Sequence, residues 1–296
     1  MTKAFTIVTV TYRGDLGPFR DLCASVDKHM PGVEHHVLVD RSDWKVFAEF
    51  AGPKRTIIDC SKVLPNYREL NAAGRRIWVR WPFKIVRGWI YQQLAKIGYV
   101  QTLDCDAAVI VDSDAVFIRT IEQSDIFDGT KTKLYRCPDR PSGPPDQSAQ
   151  WHDAASHALG LQPQGYTGAD YISTAVIWSP AVLRVAIKRI EAVWGQSWDR
   201  VMTRFFRFSE YVIYGVFCDH VHGTHQDLIA RTEAELCHCS WHYDLLTPTG
   251  SAQFGADLKD HHRAVLIQSN LGLSDEARQA VLDEFNTDVS AIASAS

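Results

Sequence analysis

The sequence predicts an α/β fold in which a mostly parallel sheet is flanked by helices. In the first 120 residues, short runs that are apolar throughout alternate with amphipathic, helix-like stretches. Strands of that composition are typical of parallel sheets that are buried on both faces. Three of the four runs end on an aspartate, so we expect polar groups at the carboxyl edge of the sheet, where ligands bind in such folds.

Four strands and two helices are predicted in this half of the chain. The strands are runs of β-branched and apolar residues bounded by turn residues, at 5–10, 36–39, 56–58 and 107–111. The helical patterns cover about 18–28 and 81–97. In the second pattern, Pro82 fits the first helical turn and Gly98 is a stop signal just beyond the end.

The second half continues the same architecture, beginning with a proline- and serine-rich segment that we interpret as a mobile loop. The loop covers 138–150, and it is followed by a strand at 171–178, helices that begin at Pro180 and Ser209, a strand at 264–268 and a helix at 275–285. No repeat or linker divides the chain. We therefore expect a single domain at 1–290, with a nucleotide-binding half at about 1–120, an acceptor half at about 121–290, and a frayed tail at 291–296.

The composition of the chain excludes several classes of protein. With 31 Lys+Arg against 35 Asp+Glu, the net charge is −4, and no basic run marks a nucleic-acid binder. No segment reaches the roughly 18 apolar residues of a membrane span. The first residues lack the features of a signal peptide, and seven scattered cysteines indicate reduced thiols. We therefore expect a cytoplasmic protein.

Asp112-Ser113-Asp114 directly follows the apolar strand at 107–111. Carboxylates two residues apart, where a buried strand meets solvent, suit Mg²⁺ or Mn²⁺, which also binds phosphate oxygens. A second triplet with the same spacing, Asp104-Cys105-Asp106, precedes the strand and is interpreted as a solvated turn.

Four segments, in chain order, resemble the GT-A class of nucleotide-sugar glycosyltransferases, whose Rossmann-like sheet is mostly parallel. These are Val8-Thr9-Val10-Thr11-Tyr12, Val39-Asp40, the helix-like residues 88–96, and Val109-Ile110-Val111-Asp112-Ser113-Asp114. The resemblance covers about residues 4–270 and is nearest to bacterial transferases of polysaccharide biosynthesis with largely unassigned substrates. No Gly-x-Gly-x-x-Gly follows the first strand, which argues against a dinucleotide-dependent dehydrogenase.

The resemblance implies transfer of a sugar from a nucleotide-diphosphate donor, with a UDP-sugar favoured, to a hydroxyl of a glycan or lipid-linked acceptor. It further implies a Mn²⁺ or Mg²⁺ cofactor, with Asp114 as a metal ligand and Asp112 shared between metal and ribose. Peripheral membrane association through the acceptor is a further expectation, and the oligomeric state is left open. The donor-binding residues implied, including cations for the phosphates, are Thr9, Thr11, Tyr12, Asp40, Lys84, Arg87, Gln93, Lys96, Asp112 and Ser113.

The third metal ligand is left open. Members of the class often take it from a histidine near the end of the fold, where this sequence has Gln268. Either Gln268 binds through its amide oxygen, or His242 or His262 supplies the ligand.

Two carboxylates are candidates for catalysis on the acceptor side. Glu210 opens an apolar helix at the place where inverting members of the class carry a general base. The alternative is that Ser209 caps this helix and Glu210 only complements its dipole. Asp170 lies in a glycine-rich segment and is a candidate for binding a sugar hydroxyl, or else belongs to a plain turn.

Two rival functions are considered. A zinc hydrolase would use His220, His222 and His225, with further soft ligands at Cys237, His238, Cys239 and His242. A non-catalytic carbohydrate-binding scaffold would stack sugars on Trp151, Trp198 or Trp241, whereas Trp89 and Trp178 are predicted to be core residues.

Overall fold

A computed structural model describes residues 3–72, 75–140, 144–268, 271–273, 276–283 and 285. Its strands are β1 (Phe5–Thr11), β2 (Glu34–Val39), β3 (Arg55–Asp59), β4 (Tyr67–Ala72), β5 (Arg75–Arg80), β6 (Lys84–Val86), β7 (Ala107–Val111), β8 (Ala115–Phe117), β9 (Phe127–Asp128), β10 (Lys131–Tyr135), β11 (Cys137–Pro138), β12 (Ala169–Asp170), β13 (Ala175–Trp178), β14 (Ile229–Thr232), β15 (Cys237–Cys239) and β16 (Ala264–Leu266). Its α-helices are α1 (Leu16–His29), α2 (Trp44–Phe47), α3 (Cys60–Val63), α4 (Gly88–Val100), α5 (Gln123–Ile126), α6 (Pro145–Leu159), α7 (Pro180–Trp194), α8 (Trp198–Met202), α9 (Glu210–His220) and α10 (Pro248–Ala256). Residues 276–283 are also helical; the first residue of that predicted helix and the predicted tail at 291–296 lie outside the described residues.

Five strands form the central sheet, in the order β13-β7-β1-β2-β3. The strands β7, β1, β2 and β3 are parallel, and β13 is antiparallel at the edge beside β7. Thr11 pairs with Val39, and Val39 pairs with Asp59, so the carboxyl ends of β1, β2 and β3 are level. The largely parallel sheet predicted from the apolar runs is confirmed.

Helices cover both faces of this sheet. Val8 and Ile110 belong to one hydrophobic cluster, which includes buried residues of α4, α7 and α9. The preceding residues of the same strands, Ile7 and Val109, belong to a second cluster with Phe19 of α1. Because successive strand residues point to opposite faces, the continuous apolar runs are explained by burial on both sides.

The strands β4, β5 and β6 form a three-stranded antiparallel sheet, and β6 occupies residues where we predicted the start of a helix. The helix predicted at 81–97 is α4, which begins only at Gly88. Ile77, Val79 and Ile85 alternate with other residues, and this pattern suits a pleated strand. The helical pattern that we assigned to residues 81–87 was therefore wrong.

Gly98 lies within α4 and does not end it. A Cβ at this position would lie 3.2 Å from Val63 and 3.3 Å from Leu64, both in or next to α3. The absence of a side chain at Gly98 therefore allows α3 and α4 to pack closely.

Two elements of the second half also differ from the prediction. α6 begins at Pro145, inside the segment interpreted as a loop, and proline is favoured in a first helical turn. The predicted strand at 171–178 joins the central sheet only as Ala175–Trp178, and the preceding Ala169–Asp170 pairs with β11. Among the helices of the described ranges, none is long and apolar enough to cross a bilayer.

Candidate active site

The carboxyl edge of the central sheet carries a line of polar side chains. Tyr12 follows β1, Asp40 follows β2, and Asp112-Ser113-Asp114 follows β7. Because these strands are parallel neighbours, the three loops lie at one end of the sheet. This arrangement agrees with the sequence prediction.

Lys96, on α4, joins the Asp112 carboxylate to the buried Glu210 at the start of α9. Its Nζ lies 3.2 Å from Asp112 Oδ1 and 3.0 Å from Glu210 Oε1, and it donates to the Tyr211 hydroxyl at 2.7 Å. Burial alone would lower the pKa of Lys96, but the two carboxylates raise it well above its usual value. Lys96 is therefore a cation held between two carboxylates.

The turn Asp112-Ser113-Asp114 is fixed by three hydrogen bonds. The Asp112 N–H donates to the Thr174 carbonyl at 3.1 Å, and Ser113 Oγ donates to Asp15 Oδ2 at 2.9 Å. The Arg278 guanidinium donates to the Asp114 carbonyl at 3.1 Å. The Asp112 side chain remains 37% exposed, so its carboxylate is accessible to a ligand.

The donor atoms on this turn suit a hard divalent cation. Mg²⁺ and ions like it use one or two protein carboxylates and take the remaining ligands from phosphates and water. Arg278 also donates to the Ile267 carbonyl at 2.6 Å, which places the neighbouring Gln268 beside the turn. No three His, Cys, Asp or Glu side chains of the described ranges form a metal site by themselves. The two aspartates therefore fit a cation that a diphosphate would share.

The two histidines considered as third ligands do not form a cluster with the turn in the described structure. His242 is exposed and lines a separate cleft. His262 is buried, its ring stacks on His238 with centroids 4.8 Å apart, and its Nδ1 accepts the Lys259 N–H. Burial lowers the pKa of His262 to about 3, so its ring is neutral at physiological pH.

A first cleft lies between the ends of β1 and β2 and the β4-β5-β6 sheet. It consists of two cavities of about 960 and 540 Å³ that share Arg13, Asp40, Arg76 and Trp78. The smaller cavity is also lined by Tyr12 and Trp89, which are 42% and 47% exposed. Trp89 was predicted to be a core residue, and that prediction was wrong.

Tyr12 links the first cleft to the Asp112 turn. The carboxylate of Asp15 raises the pKa of the Tyr12 phenol, and burial and the charge of Asp114 add to this effect. Asp15 is the residue that accepts the Ser113 hydroxyl, so the phenol lies close to the turn.

Asp43 fixes the walls of the first cleft. It is fully buried and accepts the Arg13 N–H at 3.0 Å and two N–H groups of Arg76 at 2.6 and 2.8 Å. Nearby, burial and the Glu69 carboxylate raise the pKa of Asp40 to about 7. The first cleft therefore contains a carboxyl that titrates near neutral pH.

Several predicted donor-binding residues lie away from the cleft. The Thr9 hydroxyl hydrogen-bonds His35 Nε2 at 3.1 Å inside the core, and Thr11 is buried at the end of β1. Gln93 is buried, and its Oε1 accepts the Glu210 N–H at 3.0 Å. These three side chains support the edge of the sheet but do not line the cleft.

Lys84 and Arg87 both lie outside α4, although the predicted helix at 81–97 included them. Lys84 is on β6 and exposed, and Arg87 precedes the first residue of α4. The Arg87 guanidinium lies 3.7 Å from the ring centroid of Phe206. Neither cation lines the first cleft.

A second cleft of about 680 Å³ contains Asp170, Glu235 and Trp241. Asp170 is buried, and its Oδ1 accepts the backbone N–H groups of Tyr171 and Ile172, so the residue stabilises a turn. Burial raises the pKa of Glu235.

A chain of contacts connects this second cleft to the Asp112 turn. The Cys239 thiol donates to Glu235 Oε1 at 3.5 Å and lies 3.2 Å from the Thr174 hydroxyl. The carbonyl of Thr174 accepts the Asp112 N–H. The two clefts therefore approach the turn from different sides.

The histidines proposed for a zinc site are dispersed. His220 and His222 are exposed, whereas His225 is buried and stacks on Phe217 with ring centroids 4.2 Å apart. His220 is the last residue of α9. In the part of the chain that the structure describes, these side chains form no metal cluster.

The tryptophans proposed for sugar stacking also differ from one another. Trp151 and Trp198 are buried, whereas Trp241 is partly exposed in the second cleft. Trp178 is buried, as predicted. Only Trp241 of the three candidates lies where it can contact a ligand.

Sequence reasoning missed Arg76, Trp78 and Asp43 in the first cleft and Glu235 in the second. Arg76 and Trp78 are on β5, in a segment that we did not recognise as a sheet. Asp43 follows Asp40 by three residues, and this short acidic pair after a predicted strand was the one available signal.

Residues 4–289 match the model of a family described as a family of unknown function, DUF6492. The chain belongs to that family. No curated protein matches this DUF6492 chain.

Solved structures similar to this DUF6492 chain include glycosyltransferases. The apo structure of mouse xyloside xylosyltransferase 1 has a TM-score of 0.50 at 11% identity, covering 92% of this chain and 100% of that one. The galactosyltransferase LgtC in complex with donor and acceptor sugar analogues has a TM-score of 0.47 at 10% identity, covering 94% and 95%. The fold is that of a GT-A glycosyltransferase, with a parallel-rich sheet flanked by helices, as the resemblance predicted.

Proposed function

We propose that this protein is a metal-dependent glycosyltransferase that moves a sugar from a nucleotide-diphosphate sugar to an acceptor hydroxyl. The observation that carries the proposal is the Asp112–Lys96–Glu210 array at the carboxyl edge of the sheet. It lies beside the first cleft, which has the volume and the aromatic and charged walls expected for a nucleotide. A GT-A-like fold agrees with this assignment.

The first cleft is assigned to the donor. Tyr12 and Trp89 offer aromatic surfaces for the base, and Asp40 offers a carboxyl for a ribose or base contact. Asp112 and Asp114 would hold Mn²⁺ or Mg²⁺, which supplies neutralisation of the charge that develops on the departing diphosphate. Lys96 fixes the Asp112 carboxylate and itself lies close to this charge.

The second cleft is assigned to the acceptor. Trp241 provides a surface on which a sugar ring can stack, and the carboxyls of Asp170 and Glu235 can accept hydrogen bonds from hydroxyls. In the transfer, the bond from the anomeric carbon to the diphosphate oxygen breaks and the bond to the acceptor oxygen forms. We assign the acceptor proton to Glu235, because a half-buried carboxylate with a raised pKa is a stronger base than an ordinary one.

This assignment changes the proposed role of Glu210. Its side chain is 4% exposed and paired with Lys96, so it has no open path to an acceptor hydroxyl. We propose that Glu210 is a positioning residue that acts through Lys96. From the sequence resemblance, we also propose a UDP-sugar donor, a glycan or lipid-linked acceptor of bacterial polysaccharide biosynthesis, and a cytoplasmic location.

Thermal unfolding with UDP, GDP, CDP and dTDP, each with and without Mn²⁺, tests the proposal. A nucleotide at about 100 times its dissociation constant adds roughly 2.7 kcal/mol, or several degrees in Tm for a chain of this size. We expect one nucleotide to stabilise the protein, and only with Mn²⁺. Asp114→Asn should abolish that shift while leaving the unliganded Tm nearly unchanged.

The second Asp-x-Asp triplet offers a matched control. Asp104 is exposed at the opposite end of β7, so Asp104→Asn should respond to nucleotide and metal as the wild type does. If no nucleotide stabilises the wild type, or if the shift persists in Asp114→Asn, the donor and metal assignments are wrong.

A further inference from the structure

The β4-β5-β6 sheet has two faces of different character. Tyr67, Glu69 and Trp78 point inward and line the first cleft. The residues that alternate with them point to the opposite, outer side. On that side Leu70 pairs with Ile77, so one apolar surface extends across strands.

The outer face continues onto the turn between β5 and β6, where large apolar side chains are exposed. Phe83 is 77% exposed, Trp81 67% and Ile85 65%, and the rings of Trp81 and Phe83 lie 5.0 Å apart. Leu70 adds to the same surface. Contiguous exposed apolar patches mark interaction sites.

Positive charge lies beside this surface. Residues 67–89 contain six Lys or Arg and one Glu, a net charge of +5 within a chain of net charge −4. Arg76 and Arg80 turn inward and pair with Asp43 and Asp199. Lys84 is opposite Arg80 on the edge strand β6, where it is exposed between Phe83 and Ile85, and Arg87 is exposed with its guanidinium on the Phe206 ring. In the described ranges, neither Lys84 nor Arg87 forms an ion pair.

We infer that the outer face of the β4-β5-β6 sheet binds the surface of an anionic lipid bilayer. Tryptophan and phenylalanine partition into the interfacial region, where their rings lie at headgroup depth. A Lys or Arg near an anionic surface adds electrostatic attraction to it. Exposed aromatic side chains with an exposed lysine beside them are the combination that such a surface recognises.

A second copy of the chain is a poorer occupant of the same face. Self-association through it would bring the exposed Lys84 side chains of two copies together, and like charges at an interface oppose binding. An anionic bilayer instead complements both the apolar surface and the charge.

Binding would place the first cleft next to the bilayer, because the inner face of the same sheet lines that cleft. Binding to a bilayer determines where the protein is located and does not depend on the reaction at the cleft. Vesicle binding and the nucleotide response of the proposed function can therefore succeed or fail independently.

Co-sedimentation with phosphatidylcholine vesicles, with and without phosphatidylglycerol, tests the inference. We expect the full chain to bind the vesicles that contain phosphatidylglycerol, and high salt to weaken binding. The double variant Phe83→Ser/Ile85→Ser should reduce partitioning by about tenfold. Lys84→Glu should reduce it also, and this variant changes an exposed side chain on an edge strand without removing apolar contacts.

Leu228→Ser/Leu246→Ser is the matched control, because these leucines are exposed elsewhere on the chain. It should bind as the wild type does. Absence of wild-type binding to phosphatidylglycerol vesicles, or unchanged binding by both Phe83→Ser/Ile85→Ser and Lys84→Glu, would overturn the inference. A different result would also overturn it: the wild type does not bind vesicles but forms a dimer in solution, and Phe83→Ser/Ile85→Ser dissociates that dimer.

Discussion

The Nζ of Lys96 lies 3.0 Å from Oε1 of Glu210, and both side chains are almost entirely removed from solvent. Lys96 belongs to α4 and Glu210 to α9, so the pair ties two helices together beneath the Asp112 turn. A buried ion pair contributes little net stability, but loss of one partner leaves an uncompensated charge. The effect of this array on the stability of the protein should therefore be distinguishable from its effect on nucleotide binding.

Lys96→Met should destabilise the protein by about 3–5 kcal/mol, because Glu210 is then a buried carboxylate without a cation. Adding Glu210→Gln should restore most of that loss, since Asp112 is partly exposed and stays solvated. Urea denaturation of the two single variants and the double variant measures the coupling. Additive effects would show that the two charges do not interact.

The double variant also separates structure from function. We expect it to be folded but to lose the metal-dependent nucleotide shift, because Lys96 no longer fixes the Asp112 carboxylate. A double variant that binds nucleotide as tightly as the wild type would remove Lys96 from the donor site.

The central sheet and the Asp112 turn could be predicted because their signals are local. The run at 107–111 is apolar at every position, and Asp112 ends it abruptly. Such a run can be recognised from adjacent residues alone, because burial on both faces of the sheet makes every position apolar.

The walls of the first cleft could not be predicted in this way. Arg76 bonds Asp43 across 33 residues, and no spacing in the sequence indicates that pairing. The β5-β6 turn carries Pro82 at a position that also suits the start of a helix, so the local pattern favoured the wrong element. Likewise, Glu210 has the sequence signature of a helix start, and only the packing of α4 against α9 identifies its partner.

Asp40 should make stability depend on pH. Burial and the Glu69 carboxylate raise its pKa in the folded protein to about 7, from an ordinary value of 3.8. The folded protein therefore favours the protonated carboxyl. The stability that protonated Asp40 contributes is lost as the pH rises from about 4 to 7. Asp40→Asn should be more stable than the wild type at pH 8 by up to about 4 kcal/mol, with little difference near pH 4. Urea denaturation across this range checks the sign; a difference independent of pH would contradict it.

Glu235→Gln should lower sugar transfer by at least about tenfold while leaving the nucleotide shift unchanged. Burial raises the pKa of Glu235, and a general base must be ionised. Transfer by the wild type should therefore fall as the pH drops through that raised value, and this acid limb should be absent in the variant. Exposed Glu233, on the rim of the same cleft, supplies the control Glu233→Gln. Equal activities and pH profiles for the two variants would exclude Glu235 as the base.

Gly215, in α9, is a test of packing beneath the second cleft. A Cβ at this position would lie 2.1 Å from Tyr171 Cγ, and the Tyr171 hydroxyl is itself held by Asp219 at 2.7 Å. Gly215→Ala should therefore destabilise the protein by about 1–3 kcal/mol, although alanine is the better helix former. Gly255, near the end of α10, faces open space, so Gly255→Ala should be neutral or stabilising by up to about 1 kcal/mol. Urea denaturation of both variants gives the comparison, and a Gly215→Ala protein as stable as Gly255→Ala would mean that the Tyr171 ring moves aside without cost.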